Sequence, residues 1–152
     1  MDPRTMERAV WQRVMGAPDC AQNASGRILE LIHAEQREAA LYAALAARTA
    51  GVCRSVLQQL SREERCHARQ LETVFYLLTG SCAQGCPERP ACPSGGLCAL
   101  LRERFAAEQQ AAEGYRGMAE TSPRFRDVFL HLAADETRHA ARLRCLLQQL
   151  LR

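Results

Sequence analysis

One short pattern occurs twice in this chain, as Glu64-Arg65-Cys66-His67 and as Glu136-Thr137-Arg138-His139. Each copy lies in a run free of Pro and Gly, and residues three apart on a helix share a face. The neighbouring apolar residues identify that face. Leu57, Leu60, Leu71, Val74 and Leu78 bracket the first copy at three-four spacing; Phe129, Leu132, Leu143, Leu146 and Leu150 bracket the second. Such spacing is the seam of a helix packed in a bundle. Glu and His therefore stand where the seam would otherwise carry Leu. A carboxylate buried there is costly unless something compensates it, and a bound metal is the first candidate.

Two more seams are interrupted in the same way. One reads Ile28, Ile32, Glu35, Ala39, Tyr42, Ala46; the other reads Leu101, Phe105, Glu108, Ala112, Tyr115, Ala119. The four seams predict helices over about 25–50, 52–79, 97–120 and 123–151. A short amphipathic helix over 3–16, in an N-terminal segment 1–24, is expected to serve packing or subunit contact. Ser25 is the expected N-cap of the first long helix, with Gly51 and Gly80 as stops and Ser122-Pro123 as the start of the last. Glu35 and Tyr42 precede Glu108 and Tyr115 by 73 residues, and Glu64 and His67 precede Glu136 and His139 by 72. Ala34-Glu35-Gln36 also matches Ala107-Glu108-Gln109. The expected fold is all-α: two antiparallel hairpins related by a pseudo-two-fold axis, joined by a crossover over 80–96 into one four-helix bundle.

Bringing the seams together places Glu35, Glu64, His67, Glu108, Glu136 and His139 in one core layer. Four carboxylates there are mutually repulsive, and two divalent ions neutralise them. Carboxylate with imidazole suits iron or manganese better than the thiolate-seeking metals. The competing reading is that these are ordinary helix residues, since a single Glu-x-x-His is weak evidence; four interruptions in repeat register weigh against it. Tyr42 and Tyr115 lie two turns after Glu35 and Glu108. They are candidates for hydrogen bonding to a ligand carboxylate or for electron transfer, against simple core packing. Glu63, Glu72, Glu103 and Glu120 fall off the seams and are expected to be solvated, and His33 and His131 fall off them too.

Composition narrows the function classes. The length suits a single domain. All 20 basic residues are Arg, and the net charge of +3 is spread evenly, which argues against nucleic acid as a partner. No apolar run approaches the roughly 20 residues of a membrane-crossing helix, and the N-terminus lacks a signal-peptide core. The expected compartment is the cytoplasm, where the eight cysteines would be thiols or metal ligands. Cys82, Cys86, Cys92 and Cys98 sit in or next to the crossover, where they could hold zinc, iron or an iron–sulfur cluster, pair as a redox switch, or remain plain thiols. Cys20, Cys53, Cys66 and Cys145 are scattered, and Cys66, off the seam, is expected to be buried or inert.

The set Glu35, Glu64-x-x-His67, Glu108 and Glu136-x-x-His139 resembles the ferritin-like superfamily, most closely the rubrerythrin diiron domain, over residues 25–150. The resemblance implies that Glu64 and Glu136 bridge two irons, that Glu35 and Glu108 are terminal ligands, and that His67 and His139 complete one iron each. It implies reduction of peroxide or dioxygen, with electrons from a partner protein or reductant, as in oxidative-stress protection. The alternative is a non-enzymatic iron-binding or storage protein; a metal-free helical interaction module is a third reading. The resemblance also allows a homodimer formed by helix exchange, on which the sequence is silent. Two departures stand out: there is no paired Cys-x-x-Cys rubredoxin-type centre, and the family's extra carboxylate on the third helix is Ala111 here. Glu38, at the matching place on the first helix, is the nearest substitute.

Overall fold

The computed structural model describes residues 18–84 and 94–151, with side chains from residue 24 onward. Four long helices make up nearly all of it: α1 (Pro18–Ala47), α2 (Gly51–Thr79), α3 (Leu97–Thr121) and α4 (Arg126–Leu150). Among the described residues there is no strand. α1 packs along α2 and α3 along α4, so the bundle is two hairpins laid together. The predicted helix over 3–16 lies outside the described residues, as do Cys86 and Cys92.

Three helix boundaries differ from the expected ones. α1 starts at Pro18, seven residues before the predicted cap Ser25. Proline is well placed at a first helical position, where its missing N–H would have no partner anyway. α1 ends at Ala47, and Gly51, with φ +55°, opens α2 after the turn. α4 does not start from a Ser122 side-chain cap. Pro123–Phe125 form a single 3₁₀ turn, held by the Phe125 N–H bonding to Ser122 O at 3.0 Å, and the α-helix follows. Gly80 stops α2 as expected: it takes φ +72° and its N–H returns to Tyr76 O, the left-handed stop that glycine adopts without a Cβ penalty.

The core has two apolar halves. One gathers Ile28 and Ile32 with Leu71, Val74, Tyr115, Phe129 and Leu132. The other gathers Leu45 and Leu57 with Leu60, Leu101, Leu143 and Leu146. Between them lies a layer of buried polar residues: Glu35, Ser61, Glu64, His67, Glu108, Glu136 and His139. Ser61 is accounted for locally, its hydroxyl donating to Ala39 O at 2.7 Å and tying α2 to α1. The other six are those that interrupt the seams.

The two apolar halves also mark the two ends of the bundle. Ala83, next to Cys82, packs on the first, and Cys98 packs on the second. Arg48, in the α1–α2 turn, donates to Gly95 O at 3.0 Å and fixes the start of α3 at that second end.

Candidate metal centre

Each helix contributes to the polar layer at the position its seam dictates: Glu35 from α1, Glu64 and His67 from α2, Glu108 from α3, Glu136 and His139 from α4. Both imidazoles are 1 % exposed and stack on each other, ring centroids 5.3 Å apart. His67 Nδ1 lies 2.9 Å from Glu136, 3.0 Å from Glu64 and 3.4 Å from Glu35. His139 Nδ1 lies 2.8 Å from Glu64, 3.0 Å from Glu136 and 3.8 Å from Glu108. Glu64, His67, Glu136 and His139 each offer a ligand atom within 4.8 Å of the others.

The outward nitrogens have their own carboxylates. His67 Nε2 stands 3.3 Å from Asp135, and His139 Nε2 stands 2.8 Å from Glu63. A carboxylate on one ring nitrogen fixes the tautomer and turns the other nitrogen toward a metal. Sequence reading missed both partners. Glu63 was expected to be solvated; it is half-buried and also accepts from Arg142 at 2.6 Å. Asp135 was passed over. The signal was available, because an acidic residue immediately precedes each Glu-x-x-His and the two are 72 residues apart.

The tyrosine hydroxyls cross the bundle. Tyr42 donates to Glu108 and Tyr115 donates to Glu35. Each thus holds the carboxylate of the opposite hairpin, and both rings are at most 2 % exposed. Burial, and then the adjacent carboxylate, raises both phenols well above their ordinary range, so they act as fixed hydrogen-bond donors.

Charge in the layer is held by protons. Burial, reinforced by neighbouring carboxylates, raises Glu35 to about 8 and Glu108 to about 9. Burial works the same way on Glu64 and Glu136, but the adjacent His139 and His67 imidazoles outweigh it and lower both. Burial also opposes charge on the imidazoles; the surrounding carboxylates overcome it and push each to about 12. Two imidazolium ions between two carboxylates and two protonated Glu residues are thus the charge balance of this layer without a cation.

Protons do not satisfy all of its atoms. Glu64 Oε1, both oxygens of Glu136 and His139 Nδ1 are buried without a hydrogen-bond partner. His139 Nδ1 and Glu64 Oε1 are only 2.8 Å apart, so they are close without being aligned as donor and acceptor. Converging, unmatched donor atoms of this kind suit a metal ion, and Glu64, His67, Glu136 and His139 could hold one.

A cavity of ≈ 360 Å³ between α1 and α3 opens onto Glu35, Glu38, Glu64, Glu108 and Glu136. Glu38 lines it and pairs with Arg104 of α3. Burial raises its carboxyl, against the pull of Arg104.

Of the four crossover cysteines, the two described ones, Cys82 and Cys98, do not share a site. Cys82 follows the end of α2, Cys98 begins α3, and these lie at opposite ends of the bundle. The 29 residues of α2 separate those ends by roughly 40 Å, far beyond the ~2.3 Å metal–sulfur bonds of a shared ion. Cys66 is exposed rather than buried.

No helix among the described residues is long and apolar enough to cross a membrane. The chain matches no family model, no curated protein and no solved structure.

Proposed function

We propose that the protein is a rubrerythrin-like dinuclear-iron oxidoreductase, with manganese as the alternative metal, that reduces peroxide or dioxygen using electrons from a partner protein or small reductant. The observation that carries this reading is the repeat-matched convergence of two Glu-x-x-His pairs on a buried layer whose donor atoms are left unmatched. Four carboxylates against two ions of double charge also give a neutral layer. Glu64, His67, Glu136 and His139 would hold the ions, with Glu35 and Glu108 as outer carboxylates within 3.4 Å and 3.8 Å of an imidazole.

Bound there, iron would supply the redox change and Lewis acidity that activate an O–O bond. The chain's own residues do the rest. Asp135 and Glu63 orient the imidazoles from outside. Tyr42 and Tyr115 aim a proton at Glu108 and Glu35, which restricts how those carboxylates turn. The cavity between α1 and α3 gives a small oxidant access to the layer.

Metal per chain, measured by mass spectrometry after growth in iron-supplemented medium, tests this first. About two irons in the parent, lost in Glu64→Ala/Glu136→Ala, are expected, together with peroxide consumption when a reductant is added. A folded parent that takes up no metal would sink the reading. Slow uptake of iron into large particles without peroxide turnover would favour storage instead.

A further inference from the structure

The repeat is broken in the groove along each hairpin. Between α1 and α2 lies a cavity of ≈ 510 Å³, within the size range of small-molecule sites. Ala43 and Ala47 of α1 line one side of it; Arg54, Gln58, Arg62 and Arg65 of α2 line the other. Among the described residues no acid borders it. The acids nearest in sequence, Glu63 and Glu64, turn to His139 instead. Arg54, Arg62 and Arg65 make no ion pair among the described residues. Arg54 is nonetheless held in place: its Nε donates to Thr49 O at 2.7 Å, at the α1–α2 turn.

The C-terminal hairpin is built differently at the matching positions, 73 residues on for α1 and 72 for α2. Ala43 and Ala47 become Arg116 and Glu120, while Arg62 and Arg65 become Ala134 and Thr137. There an acid accompanies the arginines, and Arg116 donates to Thr137 at 3.0 Å. The N-terminal groove keeps three positive charges, small side chains facing them and no acid. Arg62 and Arg65, three residues apart, share a face of α2 and repel each other. An oxyanion between them relieves that repulsion, because guanidinium forks match the oxygens of phosphates and carboxylates. Arg54 stands eight residues before Arg62, or ~12 Å along the helix, so a ligand with two anionic groups engages all three.

We infer that the α1–α2 groove is a binding site for a small organic dianion. One oxyanion group sits between Arg62 and Arg65, the other reaches Arg54 and Gln58, and the carbon frame rests on Ala43 and Ala47. Two oxyanion groups on a short carbon frame can come from a sugar bisphosphate or from a dicarboxylate. The site lies outside the metal layer and does not rest on the function proposed above.

Calorimetric titrations with fructose 1,6-bisphosphate and, separately, with adipate test the groove, on parent and variants whose helicity and metal content are measured in parallel. Saturable binding of one dianion per chain, weakening as salt is added, is expected in the parent. Binding of the bisphosphate alone assigns the site to phosphates, of adipate alone to dicarboxylates, and of both to oxyanions of either kind. Arg62→Gln/Arg65→Gln should weaken the ligand by roughly tenfold, the scale of two solvent-exposed charge contacts. Ala47→Glu, which gives the groove the acid that Glu120 supplies in the other hairpin, should weaken it as well. Arg116→Gln/Arg126→Gln removes as much charge from the other hairpin and should leave the affinity unchanged. Binding of neither dianion by the folded parent overturns the site, as does unchanged binding by Arg62→Gln/Arg65→Gln. An equal loss in Arg116→Gln/Arg126→Gln also overturns it, leaving diffuse attraction to a basic protein. Binding of a hexaglutamate peptide by a parent that takes neither dianion overturns it in favour of a protein-docking face.

Discussion

The N-terminal hairpin, α1 with α2, sets Glu35, Glu64 and His67 into the polar layer, and the C-terminal hairpin, α3 with α4, sets Glu108, Glu136 and His139 there at repeat-matched positions. One shell further out the match loosens. His139 rests on Glu63, which is held by Gln59 and Arg142. His67 rests on Asp135, which is held by Arg138 and faces His131 at 3.4 Å. The positions that carry Glu38 and Arg104 on one side carry Ala111 and Leu31 on the other. Inside, every charge is desolvated and must be met in kind, so the two halves use the same residue types. Near the surface, water screens the charges and different partners serve equally well.

Changing one carboxylate of the inner layer has the largest expected effect. Glu64→Ala and Glu136→Ala should each weaken metal binding by more than the ~10–100-fold typical of losing an outer partner. Equal losses, measured by competitive chelation, would establish that the halves act symmetrically, and a loss confined to one variant would break the comparison.

Metal removal and pH come next. The imidazoles, raised from 6.5 to about 12, contribute stability that is complete below the lower value and is lost as pH climbs toward the upper. Glu35 and Glu108, raised from 4.5 to about 8 and about 9, lose their contribution over that lower window in the same direction. Glu64 and Glu136 are lowered, so theirs is present above 4.5 and disappears in acid. Metal-free protein should therefore be most stable near about pH 4.5, where the acid-side gain of Glu64 and Glu136 meets the loss from Glu35 and Glu108, and melt progressively earlier toward about pH 9. Metal should reverse that trend, because binding displaces protons. At a hundredfold excess over Kd it should add about 2.7 kcal/mol. Calorimetric scans across pH, with and without iron, check both signs.

Outer partners should matter less and unequally. Glu63→Gln is expected to cost ~10–100-fold in metal affinity. Asp135→Asn should cost less than Glu63→Gln, because its bond to His67 is 3.3 Å against 2.8 Å for Glu63 to His139. Tyr42→Phe and Tyr115→Phe should each cost about 1–3 kcal/mol in urea unfolding of the metal-free protein, the penalty for leaving a buried carboxyl oxygen unpaired. Arg104→Ala, which removes a part-exposed pair found in one half alone, should change stability by less than about 1 kcal/mol.

Much of this was legible in the sequence because burial in a helical bundle leaves a periodic trace. Glu64 and His67 are read from the Leu that flank them, and the four-helix fold follows from four such seams. Features that leave no periodic trace were missed. Glu63 and Asp135 lie on the flank of the seam, where a half-buried residue resembles a solvated one until its partner on the neighbouring helix is known. The start of α1 was misplaced because Ser25 has the chemistry of a cap, whereas Pro18 is equally suited to a first turn. Cys82 and Cys98 looked like members of one group because they are close in the chain, but they stand at opposite ends of the bundle.

The bundle is held far more strongly within each hairpin than between them, with α2 against α4 the main direct contact across the divide. The polar layer lies across that divide, since each imidazole reaches a glutamate of the other hairpin. A ligand bridging Glu64 and Glu136 would thus rivet two locally folding units into one. Each hairpin should form early, from contacts close in sequence, and docking should come late. In amide hydrogen exchange, the metal-free protein should show a sub-global opening in which the hairpins part while each keeps its helices, and metal should slow that opening more than it slows fraying at the helix ends.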